Sequence, residues 1–167
     1  MAQDHCTVGI VVARRRLKSP WASYAWLPIA VLPAAPDVTV GTSLGGEGGE
    51  ERFYAGPGTV TLNASETGHY RDNLTSAQPS LWVALRPVGD DVEFASVTAD
   101  PYEGEALAES MGGVVDAVPM PADLRAWVQA FVEAHHVERA FVKRKRDRAN
   151  PDALARRAPV RRDEGEP

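Results

Sequence analysis

The chain has 167 residues, 44% of them apolar, with 18 Lys+Arg against 23 Asp+Glu and a net charge of −5. That size and apolar fraction suit one globular domain with loose ends, and the acidic balance argues against a uniformly basic nucleic-acid binder. Cys6 is the only cysteine, which excludes an internal disulfide and a cysteine-rich zinc or iron–sulfur site.

The N-terminal stretch Met1–Val12 carries an acid and no cationic region ahead of its apolar run, so no secretory signal is expected there. The most apolar segment, Trp26–Pro36, is interrupted by Pro28, Pro33 and Pro36 and falls short of the ~20 residues that cross a bilayer. These features predict a cytoplasmic protein.

Thr7–Leu17 reads as a first strand, β-branched and apolar on both faces until it ends in Arg14, Arg15 and Arg16. Ser19-Pro20 marks a turn, and Trp26–Leu32 reads as a second strand. Residues 33–51 are rich in proline, glycine and glutamate. This composition predicts a mobile loop, because it buries too little apolar surface to offset the entropy of ordering. Arg52–Tyr54 and Thr59–Leu62 form a third strand, with a bend or bulge at Gly56-Pro57-Gly58. Ser65 is placed as the cap of a helix through His69, Tyr70 and Leu74.

Leu81–Val88 and Val92–Thr98 alternate in the manner of strands and are joined by Gly89-Asp90-Asp91, the spacing of an antiparallel hairpin. Asp100-Pro101-Tyr102-Glu103 opens a helix, with an acid at the cap, proline at the first helical position and glutamate three beyond the cap. Gly112-Gly113 ends it, and Val114–Val118 adds a short strand. From Pro121, the residues Leu124, Trp127, Val128, Phe131 and Val132 follow the i, i+3, i+4, i+7 pattern of an amphipathic helix reaching Val137. Strands first and helices later predict an α+β fold, a mostly antiparallel sheet with helices packed on one face. The expected organisation is a single domain over residues 5–148 and a disordered tail over 149–167.

Between Arg139 and Arg148 there are six basic residues and one acid, with Phe141 and Val142 embedded among them. Lys143, Arg144, Lys145, Arg146 and Arg148 would find an acidic partner surface, and Phe141 would supply apolar anchoring beside them. A plain solvated end and a nucleic-acid contact through phosphates are the competing readings of the same run. Trp21, in a loop after Pro20, is the best surface anchor among the four tryptophans, since exposed tryptophan is enriched at interface hot spots.

No catalytic constellation is complete. His135 and His136 are adjacent, about 100° apart on a helix, and His69 and His5 are distant in sequence, so no metal is expected. The glycine-rich loop carries glutamates that repel phosphate, and no lysine follows it, so neither a nucleotide nor any other cofactor is expected. Glu103 with Glu105, or Asp90 with Asp91, would be capping and turn residues before they were an acid–base pair.

Several segments, in order, resemble a bacterial domain-of-unknown-function family, the one numbered three thousand three hundred and five. They are Val8–Arg15, Pro20-Trp21, Trp26–Leu32, Phe53–Gly56, Tyr70–Leu74, Val97–Glu103 and the run from Val118 to Arg148. The resemblance implies a genomic setting, beside genes of molybdenum- or tungsten-dependent formate dehydrogenases. It also implies a label some members carry, molybdopterin-guanine dinucleotide biosynthesis protein A. The nucleotidyltransferase of that label needs a glycine-rich loop after its first strand, where this chain has Arg14–Ser19. The expected function is therefore a non-catalytic accessory protein of a molybdenum-dependent formate dehydrogenase system, an assembly factor or a small bound subunit. The alternatives are a transferase acting on the molybdopterin-guanine dinucleotide cofactor, holding a pyrophosphate with Arg14–Arg16 and Lys143–Arg148, and a nucleic-acid-binding module using the basic segment.

Overall fold

The first strand, β1 (Gln3–Arg16), runs through the centre of a three-stranded antiparallel sheet, with β2 (Tyr24–Leu32) on one side and β3 (Glu50–Asn63) on the other. The computed structural model describes residues 1–138. Met1–Val137 form one compact unit, and of the second, Glu138–Pro167, only Glu138 is described. The expectations that fall on residues 139–167, including the disordered tail, lie outside the described residues.

After β3 come a single 3₁₀ turn (Ala64–Glu66) and helix α1 (Thr67–Thr75). The hairpin of β4 (Ser80–Val88) and β5 (Asp91–Thr98) follows, then α2 (Pro101–Ser110), β6 (Val114–Pro119) and α3 (Ala122–His135). Strands β5, β4 and β6 form a second antiparallel sheet in that order. The architecture is α+β with all strand pairs antiparallel, as the sequence predicts, but the strands divide between two sheets. The sheets meet along both margins, β2 beside β6 and β3 beside β5.

Period-two alternation places Val8, Ile10 and Val12 of β1 in the core, with Val31, Val60, Leu62, Leu81, Val83, Leu85, Val97 and Val118 from the other strands. Tyr70 of α1 and Leu124, Val128, Phe131 and Val132 of α3 complete it. Trp127 sits at the rim of this core, half-buried, and its indole N–H donates to Oδ2 of Asp4 at 2.9 Å. Leu81, Val83 and Leu85 face the core, and Trp82, on the alternate face of β4, packs under α2.

The two-sided apolar character of β1 has a structural cause. Val11, Ala13 and Tyr54 are buried outside the main core, on the face that also carries Gly9. The 33–49 segment lies against that face: Pro36 is so close to Gly9 that a Cβ there would fall 2.9 Å from its Cδ. The segment also pairs with the start of β3. Gly41 N–H donates to Tyr54 O (2.8 Å), Tyr54 N–H to Thr42 O (3.0 Å), Leu44 N–H to Arg52 O (2.7 Å) and Arg52 N–H to Gly45 O (2.8 Å). Composition gives no sign of this ladder, because backbone groups make it.

β3 is continuous where the sequence suggests an interruption, and the predicted bulge is there. Ile10 pairs with Gly56 and Val11 with Tyr54, so Ala55 is the extra residue, and Gly56 takes φ +118°. The hairpin turn has Gly89 at φ +60°. Asp100 caps α2, accepting from the N–H groups of Tyr102 (2.9 Å) and Glu103 (3.4 Å), with Pro101 at the first helical position. Ser65, by contrast, lies in the 3₁₀ turn. The α1 cap is Glu66, with no side-chain cap bond, so the cap predicted at Ser65 is corrected. α3 ends at His135, where His136 turns extended and its Nδ1 hydrogen-bonds with Thr67 Oγ1 at 3.0 Å.

Candidate functional site

The connection between β1 and β2 projects Trp21 into solvent. Leu17 N–H closes the connection on Ser23 O at 3.0 Å, and Trp21 N–H donates to Ser19 Oγ at 3.2 Å. Trp21 is 92% exposed, the most exposed aromatic residue described. It borders a shallow concavity of about 350 Å³ with Pro20, Ala22, Ser23, Tyr24 and Asp90. The indole N–H of Trp26 donates to Asp90 O at 2.9 Å, which ties the β4–β5 turn to this end of the molecule. Of the predicted partner-binding residues, Trp21 is therefore a free surface side chain. Phe141, Lys143, Arg144, Lys145, Arg146 and Arg148 lie outside the described residues.

Next to this tip, the two sheets part around a cleft of about 470 Å³. Val12, Arg14, Trp26 and Phe53 line it from the first sheet, and Asp91, Val92, Glu93 and Phe94 from the second. Arg14 continues the inward stripe of Val8, Ile10 and Val12, where the pattern calls for an apolar residue. Its guanidinium lies 4.5 Å from the ring centre of Tyr24, 5.3 Å from Phe53 and 5.7 Å from Trp26. Trp26 and Phe53 themselves pack at 5.7 Å.

A third cluster joins the starts of α1 and α2. Nδ1 of His69 stands 2.8 Å from Oδ2 of Asp100 and 3.0 Å from Oε2 of Glu66. The Asp100 hydrogen bond, foremost, raises the His69 pKa, and the Asp100 and Glu66 charges add to it. The ring of Tyr102 packs on His69 at 4.4 Å, and its hydroxyl donates to Oδ2 of Asp72 at 3.3 Å. The ligand atoms of Glu66, His69 and Asp100 lie within 4.8 Å of one another, a span that one cation can bridge. His69 Nδ1 is within hydrogen-bond distance of both carboxylates, and Asp100 also caps α2. The arrangement can hold a proton at Nδ1 and fix the angle between the two helices.

Spacing along the chain does not reveal the His69–Asp100 pair, because the two residues are 31 apart. The capping sequence Asp100-Pro101 was the available signal, since a cap carboxylate keeps a second oxygen free for another donor. The acidic pairs weighed as acid–base candidates stay apart in role. Glu103 accepts from Thr98 Oγ1 at 2.6 Å at the start of α2, while Asp90 lies in the hairpin turn and Asp91 opens β5, paired with Val88. Cys6 is half-buried against the core, and burial pushes its thiol pKa up, the opposite of an activated nucleophile.

Residues 7–145 match a family described as protein of unknown function (DUF3305), and the chain belongs to that family. No curated protein and no solved structure matches the chain.

Proposed function

We propose that this member of the DUF3305 family is a non-catalytic accessory protein of a molybdenum-dependent formate dehydrogenase system, either an assembly factor or a small bound subunit. The observation that carries an interaction role is the isolation of Trp21. It is 92% exposed on a tip closed by two hydrogen bonds, where its burial contributes nothing to this chain's own stability. A large apolar ring held out in this way stabilises a complex when a partner covers it. The basic segment 139–148 supplies long-range attraction to an acidic surface, and Phe141 a second apolar contact. The genomic setting expected of the family supplies the formate dehydrogenase.

A transferase that clasps a pyrophosphate with Arg14–Arg16 has less support. Arg14 and Arg15 alternate to opposite faces of β1, and Arg15 is already held by Glu50 at 2.7 Å. Affinity purification of the tagged full chain from cells expressing the neighbouring formate dehydrogenase genes tests the proposal. Recovery of a formate dehydrogenase subunit or one of its assembly proteins is the expected result. Recovery of nucleic acid alone, or of no partner from cells with active enzyme, would overturn it.

A further inference from the structure

We propose that the cleft between the two sheets is a binding site for a planar aromatic anion, with Arg14 as the group that recognises the charge. The site goes beyond the accessory role, and it belongs to this chain alone. Three observations converge on it. Its volume, about 470 Å³, is within the range of small-molecule pockets. Its walls are Trp26, Phe53 and Phe94, the flat faces on which another ring stacks, with Val12, Val40 and Val92 between them. Its one inward cation stands where the alternation of β1 calls for an apolar side chain.

The state of that cation decides the charge of the ligand. The Arg14 side chain is 28% exposed, and its sole ion pair among the described residues is with Glu51, one contact at 3.4 Å. No hydrogen bond from its guanidinium is found among the described residues, although the group carries five N–H donors. Arg15, one residue on, shows the contrast with a 2.7 Å bond to Glu50. Arg14 lines the cleft, and the rings of Tyr24, Phe53 and Trp26 lie 4.5, 5.3 and 5.7 Å from its guanidinium. A guanidinium carries paired N–H donors that match a carboxylate or a comparable oxyanion. Of the acids lining the cleft, Glu93 is paired with Arg86 at 2.9 Å, which leaves Asp91 as the opposing charge.

The test is calorimetric titration of the full chain with three probes of one shape, 2-naphthoate, 2-naphthalenemethanol and 2-naphthylmethylammonium. Protein NMR follows the Trp26 indole N–H in parallel. The naphthoate should bind with one-to-one saturation and about tenfold more tightly than the neutral alcohol, as loss of a charge-assisted bond implies. It should shift the Trp26 signal. Arg14→Leu should remove that preference while the chain keeps its fold, and Arg14→Lys should keep part of it. Absence of saturable naphthoate binding at concentrations on the order of millimolar, the range of weak fragments, would overturn the proposal. So would tighter binding of the ammonium probe, or unchanged naphthoate affinity in folded Arg14→Leu. Because only the purified chain and the probes are present, the outcome is independent of whether a formate dehydrogenase is ever captured.

Discussion

His69 Nδ1 stands 2.8 Å from Oδ2 of Asp100, while Oδ1 of the same carboxylate receives the first free N–H groups of α2. One buried side chain thus ties α1 to α2. Asp100 raises the His69 pKa above its ordinary value, so protonated His69 is favoured in the folded state. That contribution is complete below the unfolded value of about 6.5 and is lost as pH rises through the higher folded value. Stability should therefore fall as pH increases above about 6.5, and His69→Gln should flatten that slope. The His69 side chain is 39% exposed, so solvent screening keeps the effect below about 1 kcal/mol. Urea melts of both proteins at a series of pH values check it.

Asn73 is 3% exposed and spends its whole amide on backbone. Its Nδ2 donates to Ser80 O (2.7 Å) and Ala99 O (2.9 Å), and its Oδ1 accepts from Ser80 N–H (2.9 Å). Asn73→Ala strands these buried groups and should cost about 2–4 kcal/mol. Asn73→Asp should cost more, because it turns a carboxylate oxygen toward two carbonyls. Chemical denaturation gives both values, and an Asp variant more stable than the Ala variant would refute this account of the site.

Gly104 lies inside α2, where alanine would raise helix propensity by up to about 1 kcal/mol. A Cβ there would fall 2.6 Å from Cδ1 and 2.8 Å from Cβ of Trp82. Gly104→Ala should therefore destabilise the protein, by about 1–3 kcal/mol, as overpacking does. A rise in melting temperature would mean that α2 does not rest on Trp82.

What the sequence made legible was local. The Asp100-Pro101 cap, the hairpin turn at Gly89, the bulge beside Gly56 and the apolar stripe of α3 are each written within a few residues, and each stands where it was expected. Trp127 shows the limit of periodicity, which sets the face of α3 but not depth; Trp127 reaches only the core's rim. Division into two sheets depends on which edges meet, and the pairing of residues 41–45 with β3 depends on backbone groups that every sequence carries. The His69–Asp100 bond and the Arg14 aromatic cleft join residues from separate elements, so spacing along the chain could not bring them together.

Trp21 is the residue on which the proposed function turns. Its removal should leave folding intact, since the ring is 92% exposed. It should weaken the complex by about 2 kcal/mol, roughly thirtyfold in Kd, mainly through faster dissociation. Reversal of Lys143, Arg144, Lys145 and Arg146 to Glu should slow association and reduce its salt dependence.

The most direct measurement is therefore the binding kinetics of a purified molybdenum-dependent formate dehydrogenase on the immobilised intact protein and on Trp21→Ala, with melting temperatures taken on the same samples. The account predicts saturable binding by the intact chain, faster dissociation from Trp21→Ala and equal melting temperatures. No binding by the intact chain, or identical dissociation from the two proteins, would contradict it.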